Sequence, residues 1–184
     1  MEHQNPWTVQ DSREVYNNPW IKLTEHQVLN PAGGQGIYGV VHFKNRAIGI
    51  LPLDEQQHTW LVGQYRFPLN AYSWEIPEGG GPLHSDPLLS AQRELQEETG
   101  LSAGRYTEIQ RMHLSNSVSD ELAIIYLAQD LQMGQASPEE TEELHVRKLP
   151  FQEAVDMVLR GEITDSMSVA AILKTKLLID QGKI

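Results

Sequence analysis

Three glutamates carry the clearest chemical signal in this sequence. Glu94, Glu97 and Glu98 stand at i, i+3 and i+4, positions that share one face of an α-helix. Carboxylates gathered in this way repel one another, and a cation among them removes the repulsion. Their oxygens suit hard divalent ions such as Mg2+ or Mn2+. Arg93 stands beside them and relieves part of the strain. The face lacks the interleaved lysines of an ordinary exposed helix, and a glycine run, Gly79-Gly80-Gly81, precedes it. Such a run lets the backbone approach a phosphate or a metal ion closely. The plain alternative is a solvated acidic face.

A second acidic cluster, Glu139-Glu140-Thr141-Glu142-Glu143, reads on its own as a solvated charged loop. The chain carries 14 Lys and Arg against 25 Asp and Glu, a net charge of −11. That balance disfavours nucleic acid as a partner, because phosphate contacts need clustered cations. It equally disfavours an anionic membrane surface. Seven of the 25 acids lie in the two clusters, so the negative charge is gathered rather than spread. With no cysteine, disulfides, thiolate zinc sites, iron–sulfur clusters and Cys nucleophiles are excluded together. The His residues show no metal-ligand spacing and read as structural or surface groups. The polar start of the chain and the lack of an apolar run of about 18 residues fit a soluble, cytoplasmic protein without a signal peptide or membrane span.

The elements that must position these groups can be read from pattern. Trp20 to Leu29, Ile37 to Phe43, Ala47 to Leu53 and Thr59 to Tyr65 are short, β-branched or aromatic runs broken by turn residues, as in antiparallel strands. Gly33-Gly34-Gln35-Gly36 precedes no helical pattern, so it reads as a hairpin turn rather than a phosphate loop. Asp86 suits a helix N-cap and Pro87 the first helical position. Leu88, Ala91, Leu95 and Thr99 then follow at helical spacing up to Gly100, a helix stop. Strands are predicted again over Tyr106 to Leu114, Glu121 to Ala128 and Leu144 to Leu149. Helices are predicted over Phe151 to Arg160 and Thr164 to Ile179, the last with an apolar stripe at Val169, Ile172, Leu173 and Leu177. Trp74 reads as core packing. A length of 184 residues fits one α+β domain with an N-terminal strand region serving as an arm.

Taken with its flanks, Gly79 to Leu101 resembles the Nudix box. Gly79 is followed at the matching spacing by Arg93-Glu94-Leu95-Gln96-Glu97-Glu98-Thr99-Gly100-Leu101, and eight of the nine specified positions agree. Ser85 stands where the box has its first Glu. The resemblance implies that Glu94, Glu97 and Glu98 hold Mg2+, or Mn2+, joined by the backbone carbonyl of Glu78 or Gly79. Arg93 orients these carboxylates and in the family usually pairs with the first Glu. Ser85 cannot form that pair, so Glu75 or another nearby acid is a candidate substitute, while Asp86 is one residue off and serves as the cap.

Beyond the box, Gln64-Tyr65-Arg66 and Trp74-Glu75-Ile76-Pro77-Glu78-Gly79-Gly80 resemble the approach to it in ADP-ribose and other nucleoside-diphosphate-sugar pyrophosphatases. By that likeness Arg66 and Glu75 hold the phosphates and the terminal sugar. The Glu78 carboxylate stands where a small residue is usual and faces either ligand or solvent. A Glu in the second acidic cluster activates the water, with Glu142 favoured and Glu143 or Glu140 as fallback. Tyr16 or Trp20, in a segment similar to an arm that crosses to a partner subunit, stacks on the base; Trp20 as a core anchor is the equal alternative. Gly161-Glu162-Ile163-Thr164-Asp165-Ser166 matches the turn into the last helix and reads as a cap.

The implied fold is a Nudix fold, a mixed β-sheet in an α/β/α sandwich with an N-terminal antiparallel β arm. Residues 1–45 form the arm, for dimerisation and base binding, and residues 46–184 the hydrolase domain. The implied activity is Mg2+-dependent hydrolysis of nucleoside diphosphate sugars of the ADP-ribose, ADP-glucose or GDP-mannose type by a homodimer. A regulatory Nudix module and a hydrolase of damaged nucleoside triphosphates are the rival readings.

Overall fold

The computed structural model describes residues 4–135 and 143–184. Ten strands and three helices follow one another along these residues. They are β1 Thr8–Asn17, β2 Ile21–Leu29, β3 Gln35–Phe43, β4 Asn45–Pro52, β5 His58–Arg66, β6 Ala71–Glu75 and β7 Glu78–Pro82. Helix α1 Pro87–Thr99, β8 Leu101–His113, β9 Leu122–Met133, β10 His145–Pro150, α2 Phe151–Leu159 and α3 Ser166–Asp180 complete the order. They fall into two compact units, one running up to Asn45 together with His113–Glu121, the other comprising Arg46–Met112 and Leu122–Ile184. The first unit therefore recruits a segment after β8 that the division at residue 45 left out.

In the first unit β1, β2 and β3 form an antiparallel three-stranded sheet. Asn18 builds the first turn, its Oδ1 accepting from the Trp20 and Ile21 N–H groups at 2.9 and 2.7 Å. The predicted Gly33-Gly34 turn joins β2 to β3, with Gly33 at φ +81°. Strand β1 was not predicted. Every residue of it is exposed, so no face is selected for apolar side chains and the sequence shows no alternation. His42 and Asp120 pair at 2.6 Å, and Asp120 also accepts from the Phe43 N–H at 3.0 Å.

The second unit holds two sheets, with strand orders β10-β5-β6 and β7-β4-β9-β8. The α+β arrangement expected from the sequence is present, its strands shared between these two sheets. In the four-stranded sheet β4 and β9 run parallel, pairing Ala47 with Ala123 through Pro52 with Ala128. Both read as near-continuous apolar runs because parallel strands are covered on both faces. Ile48, Ile50, Ile124 and Tyr126 pack there with Trp60, Leu101, and Ala91 and Leu95 of α1. Helix α1 lies against β7 and β5, α3 against β9, and α2 against β10, β5 and α3.

Strands β6 and β7 were also missed; the Glu-Gly-Gly-Gly-Pro of β7 carries almost no strand propensity. Trp74 on β6 is only half-buried, set edge-on to Tyr72 with ring centroids 5.6 Å apart. In α3 the buried stripe is Met167, Ser168, Ala171, Ile172 and Thr175. Leu177, assigned to the stripe by periodicity, is 58% exposed. The rotation follows from Ser168, fully buried, whose Oγ accepts from the Ile76 N–H at 2.9 Å. A backbone donor in the core must be satisfied, and that need outranks one more leucine. None of the helices among the described residues is long and apolar enough to cross a membrane.

Helix α1 starts and stops where its residues require. Asp86 accepts from the Leu88 N–H at 3.0 Å, Pro87 occupies the first position, and Gly100 closes the helix at φ +73°. Asp86→Ala is expected to cost about 1 kcal/mol, read as a lower urea midpoint with an unchanged slope; an unchanged midpoint would remove the cap from the account.

Candidate active site

The second unit brings most of the predicted groups into two adjoining clusters that share one residue. On α1, Glu94 and Glu98 are 8% and 3% exposed, although both are acids. Helical spacing places them on the buried side of the helix beside Leu95. Strand β7 runs along that side, and it can do so because Gly79 has no side chain. A Cβ there would lie 2.1 Å from Oε1 of Glu94, inside any contact distance. A side chain at position 79 would force the Glu94 carboxylate to turn aside, so glycine here keeps that carboxylate against the strand.

Arg93 gathers this cluster. Its guanidinium pairs with Glu94, donates to Oε2 of Glu97 at 2.6 Å, and reaches the carbonyl of Gly80 at 3.0 Å. Burial works against its charge, while Glu94 and Glu97 raise its pKa above the ordinary arginine value. Glu97 and Gly80 thus join Glu94 as partners of Arg93. Glu75, the candidate substitute for the missing first Glu of the box, is instead committed to Arg66.

Glu98 connects the helix to the second cluster. Its Oε2 accepts from the backbone N–H of Glu78 at 3.0 Å. The Glu78 carboxylate turns away from solvent and accepts from Nη2 of Arg66 at 2.8 Å. Arg66 also makes a two-pronged pair with Glu75, with Nε 3.0 Å from each carboxylate oxygen. Glu75 is 2% exposed. Burial opposes the Arg66 charge, but hydrogen bonding and attraction to Glu75 and Glu78 hold the guanidinium firmly protonated.

Around these groups lies a cavity of about 260 Å3, bounded by Arg66, Leu69, Ser73, Glu75, Glu78 and Asp165. Asp165 is the N-cap of α3, accepting from the Ser168 N–H at 2.7 Å. The sequence placed a cap within residues 161–166 but began the helix at Thr164, and it gave no sign that Asp165 faces this cavity. A larger cavity of about 700 Å3, bounded by Asp54, Trp60, Leu101, Leu131, Met133 and Lys148, holds none of the predicted site residues. Its one cation, Lys148, is already paired with Asp54 at 2.8 Å and sits over the Trp60 ring. The smaller cavity has the charged groups that a phosphate-bearing ligand needs.

Burial pushes the Glu78 carboxyl well above the usual carboxylate range; Asp165 and Glu75 push it further, and Arg66 opposes them. Its Oε2 is buried without a hydrogen-bond partner. The folded chain therefore holds this proton more tightly than the unfolded chain does. The contribution of Glu78 to stability is fully present at or below the ordinary carboxylate range and is lost as pH rises through the raised pKa. Glu78→Gln is expected to raise the melting temperature at neutral pH without divalent ions and to flatten that decline. A variant with the same pH profile as the parent contradicts this.

The donor chemistry fits a hard divalent cation. Acidic oxygens, two of the acids buried, face a glycine strand, and a buried Glu78 oxygen lacks a partner. As placed, no three His, Cys, Asp or Glu side chains among the described residues converge as a ligand group. Arg93 holds Glu94 and Glu97, so a cation must compete with it. Glu142, expected to activate the water, lies outside the described residues, as do Glu139 and Glu140; Glu143 is exposed. Tyr16 and Trp20 belong to the other unit and are 53% and 68% exposed. Trp20 does not anchor a core.

Known proteins supply the comparison. Residues 7–41 match the family model of the nucleoside diphosphate sugar hydrolase N-terminal domain, and residues 43–169 that of the NUDIX domain. An ADP-ribose pyrophosphatase of Mycobacterium tuberculosis (strain ATCC 25618 / H37Rv) is 33% identical over 170 residues, which cover 88% of this chain and 79% of the relative. An ADP-ribose pyrophosphatase of Bacillus subtilis (strain 168) is 30% identical, with 86% of each chain covered. A GDP-mannose pyrophosphatase of Salmonella typhimurium is 26% identical, covering 98% of this chain and 86% of the relative. The crystal structure of an ADP compounds hydrolase superposes over the whole of both chains with a TM-score of 0.86 at 20% identity, which establishes the shared fold.

Proposed function

The chain belongs to the NUDIX family as a pyrophosphohydrolase, and from that premise we propose that it hydrolyses the diphosphate bond of nucleoside diphosphate sugars. The products are a nucleoside monophosphate and a sugar phosphate. The observation that carries this reading is the double role of Glu78. Its carboxylate accepts from Arg66 while its N–H donates to Glu98. The phosphate-binding cavity and the acidic face of α1 are thereby joined through a single residue.

Arg66 offers a guanidinium to the phosphates, and Glu75 fixes its orientation. Glu75, and Glu78 when ionised, accept hydrogen bonds from sugar hydroxyls. Glu94, Glu97 and Glu98, with the carbonyl of Glu78, would hold a divalent cation, Mg2+ or Mn2+. When bound, such an ion stabilises charge on the diphosphate and acidifies water. Arg93, paired with Glu94 and Glu97 and bonded to the Gly80 carbonyl, orients those carboxylates. Glu142 takes the proton from the attacking water. Tyr16 or Trp20, exposed on the arm, offers a flat apolar face to the base, and the arm joins two chains in a homodimer.

The test is phosphate release in a phosphatase-coupled assay with ADP-ribose, ADP-glucose, GDP-mannose and UDP-glucose, each with Mg2+ and with Mn2+. Turnover of at least one is expected. Tight binding of any of them without turnover sinks the hydrolase reading in favour of a binding module. Glu142→Gln is expected to lower kcat about 100-fold at nearly constant KM. Wild-type turnover by that variant would take Glu142 out of the mechanism.

A further inference from the structure

Arg46 stands near the start of β4, on the strand that pairs in parallel with β9 at the centre of its sheet. Its guanidinium points at the loop between β7 and α1. Nη1 donates to the carbonyl oxygens of Pro82 and Ser85 at 3.1 and 3.3 Å. Nη2 donates to that of Leu83 at 2.6 Å. Three carbonyls within four residues thus converge on a single side chain.

Within the loop, the Ser85 N–H donates to the Pro82 carbonyl at 3.1 Å, and Arg46 is the side chain that ties this turn to the sheet. The loop residues from Pro82 to Asp86 are exposed, and Ser85 brings no carboxylate to them. A guanidinium is a rigid planar fork, so three simultaneous bonds define the loop's path. That path ends at Asp86, the N-cap of α1. Where α1 begins decides how Glu94 and Glu98 meet β7. The approach is close: a Cβ at Gly79 would lie 2.1 Å from Oε1 of Glu94, and the carboxylate would have to turn aside to admit it. A small displacement of the helix would therefore separate the acids from the glycine strand or force them into it. Arg93 holds the same loop region from the helix side, at the carbonyl of Gly80. Arg46 holds it from the central strand, a rigid base for the purpose.

We propose that Arg46 is a positioning residue for the hydrolysis: by clamping the carbonyls of Pro82, Leu83 and Ser85 it sets the start of α1, and with it the carboxylates of Glu94, Glu97 and Glu98 against Gly79. This rests on the reading of those carboxylates as the cation-holding face. Arg46 acts through the loop carbonyls it binds. It takes over the anchoring of a loop in which Ser85 supplies no charge of its own.

The test compares wild type with Arg46→Met, which keeps the side-chain stem and removes every donor. Mn2+ affinity is measured by spin-resonance titration without substrate, alongside kcat, KM and melting temperature. Arg46→Met is expected to weaken Mn2+ binding and lower kcat by about tenfold or more, with KM changed less than about twofold. A merely structural arginine would lower the melting temperature but leave Mn2+ affinity and kcat per folded molecule unchanged, and that result overturns the proposal. Should Arg46→Met fail to fold, Arg46→Lys carries the test. It keeps one charge but cannot span three carbonyls, so weaker Mn2+ binding is expected and wild-type affinity overturns the proposal. If wild type turns over no nucleotide sugar while Mn2+ binding still weakens in the variant, the substrate reading fails and the positioning role stands.

Discussion

Glu98→Gln is expected to lower kcat by about three orders of magnitude while leaving the fold intact. The substitution isolates charge from shape. Glutamine has the same size as glutamate and retains a carbonyl oxygen, so the N–H of Glu78 keeps an acceptor in place of Oε2. The β7 strand therefore stays where it is. What disappears is one negative charge from a residue only 3% exposed, at the junction between the acidic helix and the Arg66 cavity. The expected signature is thus a stable, folded protein with weak Mn2+ binding and little turnover. A variant that keeps kcat within about tenfold of wild type removes Glu98 from the cation site.

Arg66→Met has the second large effect, and it falls on stability as well as on activity. Arg66 neutralises two acids at once, Glu75 and Glu78, whose side chains are 3% and 13% exposed. Asp165 adds a third negative charge to the same cavity. Without the guanidinium these acids stay buried with nothing to balance them. Breaking a buried ion pair by removing one partner costs about 3 to 5 kcal/mol. The value here belongs at about the lower end, because solvent reaches a third of the Arg66 side chain and screens the pair. The measurement is urea unfolding at neutral pH and again in mild acid. Acid should recover part of the loss, since protonated carboxyls need no counter-charge. The double variant Arg66→Met with Glu75→Gln should likewise be more stable than Arg66→Met alone, because it carries one uncompensated acid fewer. Activity should stay low in both variants, because the phosphates have lost their guanidinium. A single variant as stable as wild type contradicts the reading of this cluster as a buried, mutually dependent set.

Much of this was legible in the chain. The helix that carries the acids could be placed to the residue, because cap, first-position proline, apolar spacing and glycine stop agree: Asp86, Pro87, Ala91, Leu95 and Gly100. Such local agreement is rare elsewhere in the chain. Strand β1 has no buried face to write a pattern. Strand β7 hides from propensity because it is largely glycine: Gly79 lies against the Glu94 carboxylate and Gly81 against Ile48. The α3 stripe was misjudged by periodicity because a buried serine serves a backbone N–H almost a hundred residues away.

The sequence by itself determined the residue types and the local geometry of the chemistry: three acids on one helical face, a glycine strand before them, an arginine beside them, and membership of a family through the spacing of all of these. Spacing along one helix is a local property, and a helix has fixed geometry, so a linear pattern is enough to specify it. Only the tertiary structure decided which charges meet. Glu75 and Glu78 went to Arg66 rather than to Arg93, Asp165 turned a helix cap toward the same cavity, and Arg46 reached across to the loop that Ser85 leaves without a charge. Those pairings join residues far apart in the chain. They depend on how buried charge is neutralised in three dimensions, and no period along a sequence records that.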